Sequence, residues 1–237
     1  GGTNPDYATL TAAVNDLRIT PVDGHINFNI RTGTYNEQVS IERVWGASES
    51  NTVTFQAETG ADVTITYEPT SSDNYVVQFD DADYVTFKNM TFTATGTSYG
   101  RAFDFKDGSH NITLDSNNVN GISTTSTSAN VAVIYSASGT ANNNISITNN
   151  NFNYGSFGIY LSGTSTSNHE TGNVITNNTL QDFHQNGMIL FYQDTINISS
   201  NIVYAKGSAG NSTQFGIQAI SCDNSSSFSK NKIRVYA

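Results

Sequence analysis

Along most of the chain, apolar and polar residues alternate one for one over short runs. Examples are Val53-Thr54-Phe55, Val63-Thr64-Ile65 and Ile145-Ser146-Ile147. A period of two with β-branched and aromatic residues predicts short strands with one face buried. A single segment departs from this. Asn4-Pro5 offers an N-cap followed by proline, and Tyr7, Leu10, Val14 and Leu17 then fall on one helical face before Pro21 and Gly24. One helix followed by many short strands is the expectation.

The strands recur. YVTFKNMTF, NITLDSNNV, NISITNNNF, GNVITNNTL, TINISSNIV and FSKNKI share a short strand, a polar turn and an apolar residue. Their last apolar residues, Phe92, Val119, Phe152, Leu180, Val203 and Ile233, are 27, 33, 28, 23 and 30 residues apart. Two positions earlier stand Met90, Asn117, Asn150, Asn178, Asn201 and Asn231. A second register runs through Phe79, Phe105, Tyr135, Leu161, Leu190 and Ala219 with a similar period. A repeat in the high twenties without a recurring helix predicts an all-β, right-handed parallel β-helix solenoid. Matched positions then stack about 4.8 Å apart, so the recurring asparagine is expected to bond to its equivalent one rung along and to supply the left-handed turn. Residues 1–18 are expected to form the N-terminal cap helix and 19–237 the β-helix. At about 28 residues per turn that gives about eight coils and a rod roughly 38 Å long.

Composition narrows the function. Asn, Ser and Thr number 30, 27 and 30 of the 237 residues, while charged residues are only 13% and the formal net charge is −10. An acidic surface argues against tracking a phosphate backbone, and no apolar run is long enough for a membrane helix. The lone cysteine, Cys222, excludes an internal disulfide and a Cys-rich metal site. Thr-x-Thr pairs at 52–54, 64–66 and 91–93 raise the idea of an ice-binding array, but they are not expected to recur in one register.

The opening NPDYATLTAAVNDL, followed by INFNIRTGTYNEQVSI, resembles the amino-terminal cap and first coils of the pectin-lyase-like β-helix superfamily. Within it, Gly33-Thr34-Tyr35-Asn36-Glu37 resembles the GxYxE stretch of pectinesterases and of many secreted β-helices. The specific match covers about residues 5 to 65. It implies a right-handed β-helix whose open end is plugged by the first helix. The Asn-, Ser- and Thr-rich, Lys-poor composition resembles that of secreted or surface-anchored bacterial β-helix proteins, notably of Bacteroidetes. The family's catalytic signatures are missing: the QAVAL and DFIFG types of pectinesterases, the NTD and GHG of polygalacturonases, and the WIDH and RxPxxR of pectate lyases. Tyr35 and Glu37 are therefore expected to be structural.

Placing the second register inward leaves two outward columns: Gln78, Asp104, Ile134, Tyr160, Ile189 and Gln218, then Asp80, Lys106, Ser136, Ser162, Phe191 and Ile220. Asp80, Asp104 and Lys106 are the candidates for acid, base or β-elimination chemistry. The plainer alternative is a cross-strand ion pair. Gln78, Tyr160, Phe191 and Tyr192 are candidate sugar contacts, with Trp45 an outlying one. Asp80, Asp81, Asp83 and Asp107 are the candidates for calcium, although FDDAD lacks the spacing of a calcium loop. No cofactor is expected apart from that calcium.

Three functions stay open at this point. The first is a non-catalytic secreted or cell-surface module, adhesin- or stalk-like, contacting a polysaccharide or surface glycan. The others are a polysaccharide lyase or glycoside hydrolase acting on an acidic polysaccharide, and a purely structural spacer. KNKIRVYA stops in mid-repeat without an evident cap, which is expected of a segment of a longer polypeptide.

Overall fold

The computed structural model describes residues 4–139, 141–205 and 214–235. Residues 1–3 of the expected cap and 236–237 of the expected solenoid lie outside the described residues. The chain is a right-handed parallel β-helix of three long sheets. Each coil contributes one strand to sheet A, one to sheet B and one to sheet C. The first coil does so with Ile26–Ile30, Gly33–Asn36 and Val39–Ile41, and the fourth with Thr113–Asp115, Asn118–Asn120 and Ile134–Ser136. There are seven such coils and two strands of an eighth, Ser227–Ser229 and Lys232–Arg234, against the expected eight.

The first register is as expected. Phe92, Val119, Phe152, Leu180, Val203 and Ile233 pair in unbroken sequence down sheet B. Inside the coils, Phe28, Phe55 and Phe87 stack at 4.7 and 4.8 Å, both pairs tilted by only 11°. That offset stacking is a favourable aromatic geometry, repeated because the rungs repeat.

The buried asparagines form the expected ladder. Nδ2 of Asn117 donates to Oδ1 of Asn150 at 3.1 Å, and the pattern continues through Asn178, Asn201 and Asn231. Each Nδ2 also reaches a backbone carbonyl, as Asn150 does with Leu114, and each Oδ1 accepts a backbone N–H, as that of Asn150 does from Asn117. The left-handed turn is displaced by one residue from the expectation. It falls on Asn89, Ser116, Asn149, Asn177, Ser200 and Lys230, each just before a ladder position. The ladder amide must point inward to bond, so the preceding residue turns the corner.

A second buried polar column, unforeseen from the repeats, occupies the corner between sheets C and A. Ser109 accepts the N–H of Ala82, Asn142 that of Ser109, and Glu170 that of Asn142. Gln193 completes it, donating Nε2 to Glu170 at 2.8 Å.

The helix is Leu10–Leu17, shorter than expected. Its N-cap is Thr9, whose side chain accepts from Ala12; Asn4 lies outside it in left-handed backbone. Glu37 supplies the rest of the cap, accepting from the N–H groups of Leu10 at 3.1 Å and Thr11 at 2.7 Å. A carboxylate there satisfies orphan donors and meets the positive helix end. Tyr35 donates its hydroxyl to the Arg31 carbonyl. Both residues thus serve local structure, as expected. Among the described residues no helix is long and apolar enough to cross a membrane.

The Thr-x-Thr pairs behave otherwise than expected. Thr64 pairs with Thr91 and Thr66 with Thr93 on the outside of sheet B, while Thr54 lies on sheet A beside Thr86. Two of the three pairs thus share a register, and the pair at 52–54 does not.

Candidate functional site

The outer face of sheet C carries the polar and aromatic candidates. Its outward column runs Ser40, Gln78, Asp104, Tyr135, Tyr160, Ile189 and Gln218. The fourth coil differs from the expected register by one residue. Ser136, not Tyr135, pairs with Phe105, and Ile134 is wholly buried. A one-residue slip exchanges the two faces of a strand. Here the inward Ser136 is held by the second polar column, donating its hydroxyl to Glu170 at 3.1 Å and accepting from Asn142 at 2.9 Å. The slip places Tyr135 outside, between Asp104 and Tyr160.

Beside this column a cleft of about 280 Å³ opens over the second and third coils. Gln78, Asp104 and Lys106 line it together with Asp73, Tyr75, Tyr99 and Arg101. Asp104 is almost buried, at 7% exposure, and is gripped from two sides. Gln78 Nε2 donates to its Oδ2 at 2.9 Å, and Arg101 Nη1 to its Oδ1 at 3.0 Å. Burial raises the Asp104 carboxyl above the usual range, while Gln78 and Arg101 oppose the rise. The Arg101 guanidinium carbon also lies over the Tyr135 ring, 3.4 Å from its centroid, a cation–π contact.

Lys106 is paired twice, with Asp80 at 2.9 Å and Asp107 at 3.1 Å. Those hydrogen bonds hold its ammonium above the usual lysine range. Asp80 and Lys106 therefore form the cross-strand pair that was the plainer expectation, in register in adjacent strands. Asp81 is drawn away to Arg43 at 2.7 Å. Asp83 has one buried oxygen without a partner, and burial raises its carboxyl. Among the described residues no three His, Cys, Asp or Glu side chains are grouped so as to hold a metal ion.

From the cleft an aromatic row runs along the rod. Tyr135 and Tyr160 stack at 5.2 Å, and Phe191 follows 5.7 Å from Tyr160. Phe157 supports Tyr160 edge-on at 5.4 Å. With Ala132 and Ile189 these residues form a small apolar cluster outside the coils, separate from the core. Tyr192 lies at the next corner in left-handed backbone, its ring stacked on His169 at 6.3 Å. Trp45 stands apart in the first-coil loop, exposed, with Arg43 over its ring. The structure thus unites Gln78, Asp104, Lys106, Tyr160 and Phe191 on one face, with Asp80 at its edge. It adds Arg101 and Tyr135, which sequence reasoning missed. The signal for Arg101 was its place three residues before Asp104, and for Tyr135 the correct register.

No family model and no curated protein sequence matches the chain. Solved structures resemble it in fold. An alginate lyase from Paenibacillus sp. str. FPU-7 aligns with a TM-score of 0.51 at 10% identity, over 98% of both chains. The Dettilon tailspike protein aligns with a TM-score of 0.48 at 13% identity, over 89% of this chain, which spans 39% of the tailspike. At 10% identity the likeness to the lyase is one of architecture: the chain is a parallel β-helix.

Proposed function

We propose that this chain is a glycan-binding β-helix module of a secreted or cell-surface protein, and that sheet C holds the saccharide along its outer face. The observation that carries this reading is the Tyr135–Tyr160–Phe191 row leading out of a polar cleft. The half-buried rings offer apolar surface to the C–H faces of sugar rings, while amide and carboxyl groups at one end fix hydroxyls. The pairing of Asp80, Lys106 and Asp107, and of Asp104 with Arg101, supports binding without catalysis, since the candidate acids and base are engaged with one another.

A glycan array followed by calorimetry on the hits tests the reading, with mass spectrometry of the incubated glycans and calcium as an added variable. Binding that weakens roughly tenfold in Tyr160→Ala, about 1.4 kcal/mol, is the expected result, with the glycans intact. Shortened or unsaturated products that vanish in Asp104→Ala would replace the module with a hydrolase or lyase. That second reading draws on one feature, the Asp104 carboxyl raised by burial in a cleft.

A further inference from the structure

We infer that the saccharide recognised on sheet C is neutral, and that polyuronates are excluded; the inference rests on the glycan-binding reading of that face. It follows from the charge arrangement around the cleft. Among the described residues two cations line it, Arg101 and Lys106. A site for uronates needs a cation whose hydrogen-bonding fork or ammonium is free to meet a carboxylate. Arg101 has no complete fork to offer, since either edge of its guanidinium already has one nitrogen engaged. Its Nη1 is committed to Asp104 and its Nε to the Ala129 carbonyl at 3.3 Å, which leaves Nη2, while its central carbon lies over the Tyr135 ring. Both Arg101 and Asp104 are mostly buried, with side chains 15% and 10% exposed, so neither is readily drawn out to another partner. Lys106 already bridges Asp80 and Asp107.

Asp73 lines the same cleft, its carboxylate accepting from the Ser72 hydroxyl at 2.9 Å. Asp73 and Asp104 in the lining, with Asp80 and Asp107 paired to Lys106 beside it, set four carboxylates against these two cations. A polyanion arriving here meets a local excess of negative charge on a protein whose net charge is −10. Repulsion of that kind lowers both encounter rate and occupancy, most strongly at low salt. A neutral sugar meets the same groups as hydrogen-bond partners: carboxylate oxygens accept its hydroxyls, and the amides and phenols around them donate or accept. The aromatic row is indifferent to the charge of the sugar, so the discrimination lies with the charged groups of the cleft. Arg101 then acts as a positioning residue, packing on Tyr135 at the head of the row.

The test is calorimetry with cello-, xylo- and mannohexaose beside hexamers of galacturonate and mannuronate, in 20 and 200 mM NaCl. Neutral hexamers are expected to bind with a Kd that changes less than twofold between the two salts, and uronates at least tenfold more weakly. The double variant Asp73→Asn with Asp107→Asn is expected to raise uronate affinity at least threefold; asparagine suits the left-handed backbone of residue 107. Uronates that bind more tightly than neutral sugars, and lose affinity in 200 mM salt, overturn the inference and leave the glycan reading standing. If no hexamer binds, the glycan reading of sheet C falls and the inference falls with it.

Discussion

Two buried polar columns run along this rod, and they solve the same problem with different chemistry. In the ladder from Asn117 to Asn231 every member is an amide, which donates and accepts, so each rung satisfies the next without charge. The column of Ser109, Asn142, Glu170 and Gln193 is mixed. Its Glu170 is 1% exposed and can only accept when ionised, so burial drives its carboxyl up to about 7, against hydrogen bonds from Gln193, Asn142 and Ser136. A self-complementary side chain propagates along a solenoid. An acceptor-only one makes stability depend on pH.

Breaking the uniform column is expected to cost most. Asn150→Leu strands the Asn117 amide and backbone N–H and the Leu114 carbonyl in the interior. Two or three unsatisfied buried groups amount to about 4 kcal/mol, read as a fall in unfolding free energy by denaturant titration. A loss under 1 kcal/mol would mean that water or a shifted rung replaces the ladder.

Making the second column resemble the first has the next largest effect. The Glu170 carboxyl is raised in the folded state from 4.5 to about 7. The folded protein therefore binds the extra proton, and stability is lost as pH rises from about 4.5 to 7. Two and a half units correspond to about 3 kcal/mol lost by pH 8. Glu170→Gln should recover most of that at pH 8 and little at pH 4.5, seen as a wild-type Tm that drops with pH while the variant's stays flat. Parallel Tm profiles would show that Glu170 is ionised without penalty.

Smaller effects should lie outside both columns. Glu37→Ala removes acceptors from Leu10 and Thr11 and is expected to cost about 1 kcal/mol, with fraying of the first helix detected by hydrogen exchange. Lys106→Gln, on a half-exposed ion pair, should change stability by less than about 1 kcal/mol. A larger loss would make the Asp80–Lys106–Asp107 cluster a structural element of sheet C.

The uneven repeat was enough to align sheet B residue by residue, because Phe92, Val119, Phe152 and their successors follow an inward-only rule beside the Asn ladder. Sheet C was legible for five of its six register positions. It failed at Tyr135, where the residues before the strand form a loop with a short 3-10 turn at Ala129–Val131 and no local pattern marks which of two adjacent residues points inward. Ser136 goes in because Glu170, 34 residues later, is there to receive its hydroxyl. The charged candidates could be named, but their pairing could not. Whether Lys106 meets Asp80, Asp107 or a ligand depends on loop and rotamer geometry.

The amino-acid sequence by itself determined the solenoid, its period and the asparagine ladder. These follow from local alternation and from residues repeated at matched positions, which stacking at a constant rise must bring together. Tertiary structure alone decided the second polar column, the outward turn of Tyr135 and the engagement of Arg101 with Asp104. Each is set by contacts between coils of unlike sequence, where burial and hydrogen-bond satisfaction outweigh any pattern carried by a single strand.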